Sequence, residues 1–148
     1  MRHNSILAAA AVVFMVALAP QAQAQAQAGI SLAIEKHARL TEQGGIVIRI
    51  HIICGPFEGI EDFQEAHAGA HQVKSGAEAE SGIDGTVVCD GVERTYTAHF
   101  SSFTDQPFEP GPAGANASLF VCMLVGDEQM CFQGATSRRV IIRGQTTP

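Results

Sequence analysis

The sequence predicts an all-β fold, a seven-stranded antiparallel sandwich of two sheets. Three observations carry this. Apolar and polar residues alternate with a period of two in several segments. Gly, Pro and Asp-Gly punctuation separates those segments at intervals of roughly ten to fifteen residues. Four cysteines, Cys54, Cys89, Cys122 and Cys131, fall at or near segment ends.

Residues 1–28 read as a signal peptide with an Ala/Gln linker, and residues 29–148 as the single domain. Arg2 precedes an apolar run over 6–19, too short to span a bilayer comfortably but suited to a signal core. Ala-Gln-Ala repeats follow, with Ala24 and Ala28 as the expected cleavage sites. No twin Arg is present, and no Cys near the cleavage region invites lipid attachment. The expectation is a secreted protein, with no membrane association after cleavage. Of the chain's 9 Lys and Arg, Arg2 leaves with the signal, so 8 face 15 Asp and Glu and the net charge becomes −7. A field of that sign opposes phosphate backbones and makes nucleic acid an unexpected partner.

The first strand is expected over 30–39. The clearest strand covers 46–54 after a Gly44-Gly45 turn, with Ile46, Ile48, Ile50, Ile52 and Cys54 on one face, which must be core. Gly55-Pro56 ends it, because proline donates nothing to a ladder. Residues 58–76 fit both a helical and a two-residue period, and the regular turn spacing elsewhere favours two strands joined by a hairpin over an isolated helix. Segments 86–89 and 92–101 flank Asp90-Gly91, which predicts a tight hairpin. In its second arm Tyr96, Ala98 and Phe100 alternate with Thr95, Thr97 and His99. Residues 103–114 carry three prolines and two glycines and read as a loop. Ala115, Ala117, Leu119, Val121 and Met123 then form an inward face, and a Gly126-Asp127 turn leads to a last strand ending over 138–143.

If the strands run up and down, all four sulfurs emerge at one end. Export favours two disulfides, and no pair has the two-residue spacing of a zinc knuckle or redox motif. The pairing expected is Cys54 with Cys89 and Cys122 with Cys131. Loop entropy assigns these about 3.8 and about 2.7 kcal/mol respectively. The rival is Cys54 with Cys122, bridging the sheets.

Gly44-Gly45 before a strand ending in Cys54, the Val87-Val88-Cys89-Asp90-Gly91 segment, the run from Ala115 through Cys122, and Arg138-Arg139-Val140-Ile141-Ile142-Arg143 together resemble small exported immunoglobulin-like domains of high-GC bacteria. That resemblance covers most of 40–143 and implies an immunoglobulin-like sandwich with disulfides, without an assigned activity. There is no core Trp, and Phe120 stands two residues before Cys122 where a tyrosine corner would place Tyr.

Little in the chain points to catalysis. No G-x-S-x-G elbow, no phosphate-cradling Gly-rich loop and no other ordered nucleophile motif occurs, so no catalytic residue and no cofactor are assigned. Glu61-Asp62 and Asp127-Glu128 read as solvated loop carboxylates rather than an acid-base pair. Asn116-Ala117-Ser118 matches a glycosylation acceptor inside an expected strand. Glu65, His67 and His71 are the candidate metal ligands, because two imidazoles four residues apart share a face and suit zinc or copper with a carboxylate. His51 and His99, on the polar faces of their strands, are expected to face each other across neighbouring strands. Arg138, Arg139 and Arg143 are expected on an edge strand, guarding it against unwanted pairing. The function expected is non-enzymatic binding of a protein or small ligand at the cysteine-stapled loop end, with tips at residues 55–57, 90–91 and 126–129. The alternative is a metal or small-ligand carrier using the His67/His71 region.

Overall fold

A computed structural model describes residues 29–144; the expected signal segment and its cleavage sites lie outside the described residues. The described chain is all-β, with eight strands: β1 (Ile30–Ile34), β2 (His37–Leu40), β3 (Ile46–Cys54), β4 (Ile60–Gln72), β5 (Ala77–Gly82), β6 (Arg94–Phe100), β7 (Gly111–Val125) and β8 (Glu128–Arg143). All are hydrogen-bonded into one sheet, ordered β1-β3-β2-β8-β7-β4-β5, with β6 on β3. The sheet folds round a single core that mixes Ile46, Ile48, Ile50 and Ile52 of β3 with Leu119 and Val121 of β7 and Val140 and Ile142 of β8. The isoleucine face predicted for β3 is essentially free of solvent.

The strand count differs from seven because the first expected strand is two. β1 pairs antiparallel with β3 from Ile30↔Cys54 to Ile34↔Ile50. At Glu35 and Lys36 the chain leaves that ladder, and β2 joins β3 to β8, antiparallel to the first and parallel to the second. Backbone bonds from Glu35 N–H to Arg49 O and from Ile141 N–H to Lys36 O flank the crossing. The Arg138 guanidinium donates to the Ile34 carbonyl at 2.8 Å. A period of two reports which side chains face inward; it is silent on a strand that changes partners midway.

Three further expectations are corrected. Residues 58–76 contain one long strand, β4, and its turn comes at 73–76, so the hairpin closes with β5 later than expected. The loop expected over 103–114 ends earlier, since β7 begins at Gly111 and pairs with β8 through Pro112 and Gly114. The Asp90-Gly91 hairpin is not formed. Residues 86–89 belong to no strand, and β6 takes β3 as its partner over Ile46↔Phe100 to Ile52↔Arg94. Asp-Gly chemistry is used instead for an Asx turn, in which Val92 N–H donates to Asp90 Oδ1 at 3.1 Å.

What replaces the missing ladder is a side chain. Gln64, on β4, accepts from Val87 N–H at 2.8 Å and donates from Nε2 to the Val87 carbonyl at 2.8 Å. Eight residues along the same strand, the buried Gln72 repeats the pattern with Glu109, accepting from its N–H at 2.8 Å and donating to its carbonyl at 2.9 Å. Each carboxamide reproduces the two-bond exchange of an antiparallel strand pair, which lets an irregular segment lie against the core with its polar backbone satisfied.

Candidate interaction surface at the disulfide end

Two disulfides close one end of the molecule, Cys54–Cys89 and Cys122–Cys131, and the Cys54–Cys122 alternative is not formed. Cys54 ends β3, and its carbonyl accepts from Gly91 N–H at 2.8 Å. Close approach there requires glycine: at Gly55, which has φ +71°, a Cβ would sit 2.7 Å from the Cys89 carbonyl oxygen. Val88 N–H donates to the Tyr96 hydroxyl at 2.9 Å, and Arg94 grips both carboxylate oxygens of Asp90, with Nη2 to Oδ2 at 2.7 Å. Hydrogen bonds from Arg94 and from the Val92 amide hold Asp90 down at about 2, well under the usual carboxylate range.

On the β4–β7–β8 face of this end, Ile60 stands opposite Leu124, and Phe63 opposite Cys122, which in turn opposes Cys131. An irregularity between Glu61 and Phe63 inserts Asp62, so both Ile60 and Phe63 remain on the outer face. Asp62 accepts from Gln129 at 2.6 Å across the turn. Phe63 meets Phe120 edge to face, with centroids 6.2 Å apart. Ile60 is 76% exposed and Phe63 48%. Leu124 is also exposed, so Ile60, Phe63 and Leu124 form an apolar strip on this face, while Met130, opposite the buried Met123, lies on the other face and Val88 and Val92 are exposed on the segment around Cys89.

The expected tips divide. Residues 126–129 are exposed, as is Asp90. Phe57 is not a tip, because its ring stacks on Phe132 at 4.1 Å and packs against the core. The histidines do not converge. Among the described residues His67 has Glu65 as its ion-pair partner, at 2.6 Å, with both side chains exposed. His71 lies over Gly114, where a Cβ would fall inside its ring contact distance. Four residues along a strand is about 13 Å, against about 6 Å on a helix, so the extended form of β4 separates the pair. Among the described residues no three His, Cys, Asp or Glu come together as a metal cluster.

His51 and His99 do not face each other either: His51 stands opposite Thr95, and His99 opposite Val47. His51 instead contacts Glu35 at 3.2 Å, and His99 contacts Asp84 at 3.2 Å. Asn116 covers Gly69 on the outer face. Nor is the arginine segment a free edge, because Ile141, Ile142 and Arg143 are paired with β7 or β2 or both. Missed by the sequence reading were Gln64 and Gln72. Their signal was available, since both share the even-numbered register of the inward Ala68 and Ala70 on β4.

No family model matches this chain, and neither the curated proteins nor the solved structures contain a match.

Proposed function

We propose that this chain is a secreted, non-enzymatic immunoglobulin-like β-sandwich domain of the small exported type found in high-GC bacteria, binding a protein partner through its disulfide end. The observation that carries the reading is the exposed strip of Ile60, Phe63 and Leu124 beside the Cys122–Cys131 bridge. Contiguous exposed apolar surface is uncommon on a solitary soluble domain and marks places where proteins meet. Disulfides reduce the ordering cost of the loops that carry it. Two disulfides are compatible with an extracellular location. The immunoglobulin-like reading is supported by a first strand that splits between partners and pairs in parallel with the last.

A photo-crosslinking residue placed at Phe63, and in a separate variant at Phe103, tests the reading in the native extracellular milieu. The expected result is a discrete protein adduct from position 63, absent from position 103 and abolished by Ile60→Ser with Leu124→Ser. Equal adducts from both positions, or none at 63, would overturn it.

A further inference from the structure

We propose that the outward face of the β2–β8 junction binds a polyanion, a chain molecule carrying repeated phosphate or carboxylate groups, through Arg39, Arg143 and Arg139 arranged around His37. The distribution of ion pairs supports this first. Among the described residues, Arg49, Lys74 and Arg94 each have a carboxylate within 4.0 Å, supplied by Glu35, Glu109 and Asp90. The remaining cations, Lys36, Arg39, Arg138, Arg139 and Arg143, have none. All five lie in two short segments, 36–39 and 138–143, that the parallel pairing brings side by side. The chain has 15 acidic residues, and among the described residues even the nearby Glu35 and Glu42 pair with none of these five.

The register sharpens the point. Arg39 stands directly opposite Arg143, and His37 opposite Ile141. Ala38 and Ile142 turn into the core, so Arg39, Arg143 and His37 project to the other side. Arg139 follows on that side, about 13 Å along β8. Like charges placed directly opposite on paired strands cost stability, and among the described residues no carboxylate lies within 4.0 Å of Arg39 or Arg143. Arg143 Nη2 lies 2.8 Å from His37 Nε2. A guanidinium only donates, so the imidazole accepts there and is neutral. Burial and the charges of Arg143, Lys36 and Arg138 lower the His37 pKa, with Glu35 opposing them.

The surface is also shaped for a long ligand. One groove runs beside His37, Arg39 and Arg143 towards Glu42, and a second, lined by Val47, Arg49 and Thr97, meets it at His37 and Arg39. Guanidinium forks match phosphate and carboxylate oxygens in pairs. Each exposed contact is weak, so useful affinity requires several on one ligand. The edge-guarding role expected for Arg143 does not account for the cluster, since that residue is already inside the sheet.

Sodium polyphosphate and polygalacturonate, titrated separately into the oxidised domain at low and at physiological salt, provide the test. Binding of at least one is expected, weakening as salt rises. Arg39→Gln with Arg143→Gln should weaken it by about tenfold or more, and Arg139→Gln alone by a smaller factor, while Arg94→Gln, which removes a charge at the disulfide end, should change it less than about twofold. His37 ring resonances should move on addition of the bound polymer. The tighter of the two polymers identifies phosphate or carboxylate as the preferred group. Among the described residues the Arg139 side chain has no hydrogen bond or ion pair, so its variant should keep close to the wild-type melting temperature and stays informative if the double variant is unstable. Failure of both polymers to bind at low salt, or an equal loss in Arg94→Gln, would overturn the proposal.

Discussion

Cys122 and Cys131 face each other across a ladder that runs unbroken from Gly111↔Ile142 to Val125↔Glu128, whereas Cys89 reaches Cys54 from a segment with no ladder at all. The first bridge reinforces a pairing that backbone hydrogen bonds already specify. The second stands in for one. Around it, the work of a strand partner is divided among the Cys54–Cys89 sulfurs, the Gln64 carboxamide on Val87, the Tyr96 hydroxyl on Val88 N–H and the Asp90–Arg94 pair. A covalent or side-chain contact can therefore hold a chain in place where register cannot, at the cost of depending on single residues.

The largest effect should come from cutting the bridge that substitutes for a ladder. Cys54→Ala with Cys89→Ala should lower unfolding free energy by about 3.8 kcal/mol, against about 2.7 for Cys122→Ala with Cys131→Ala, read by denaturant titration. Amide exchange separates the two cases more sharply than the totals. Residues 86–93 should lose protection in the first variant, while the β7–β8 ladder should keep it in the second. Equal behaviour would break the contrast.

A smaller loss is expected from the carboxamide. Gln64→Ala leaves both polar backbone groups of the buried Val87 without their partner and should cost about 2 kcal/mol. Gln64→Glu keeps an acceptor for Val87 N–H but no donor for its carbonyl, so it should fall between wild type and alanine. Thermal unfolding of the three proteins gives the ranking.

The smallest effect concerns acid. Asp90 titrates at about 2 in the folded protein and at 3.8 when its contacts are lost. The unfolded chain therefore binds the extra proton first, and the stabilisation is complete above pH 3.8 and disappears as pH falls through that value towards about 2. The melting-temperature gap between wild type and Asp90→Asn should be constant near neutrality and close in that acid window. A gap that persists there would remove Arg94 from the set of groups holding the segment.

Much of the fold was legible because alternation reports burial directly. The isoleucines of β3, the Ala98 and Phe100 face of β6 and the Leu119 and Val121 face of β7 all point inward as their periodicity requires. Partner choice was not legible in the same way. Asp90-Gly91 suits a hairpin, yet the same residues serve an Asx turn once the Cys89 sulfur is committed to Cys54, because local turn chemistry does not specify which strand β6 will meet. Glu65, His67 and His71 looked alike as a set until β4 proved extended, since only a helical turn would have drawn the rings together. Gln64 and Gln72 occupied inward positions, and a polar residue in such a place signals a backbone partner that must come from elsewhere in the chain.

The crossing of the chain between β1 and β2 has a consequence for life at high concentration. By tying β3 to β8 it closes one margin of the folded sheet, and bonds from Asp84 N–H to the Thr97 carbonyl and from Phe103 N–H to the Glu78 carbonyl tack down the opposite one. Among the described residues the outer edges of β1 and β5 end the strand order, and on β5 Glu78 and Glu80 are exposed. Along β5 a stray extended polypeptide thus meets a negatively charged template, which discourages lengthwise addition there.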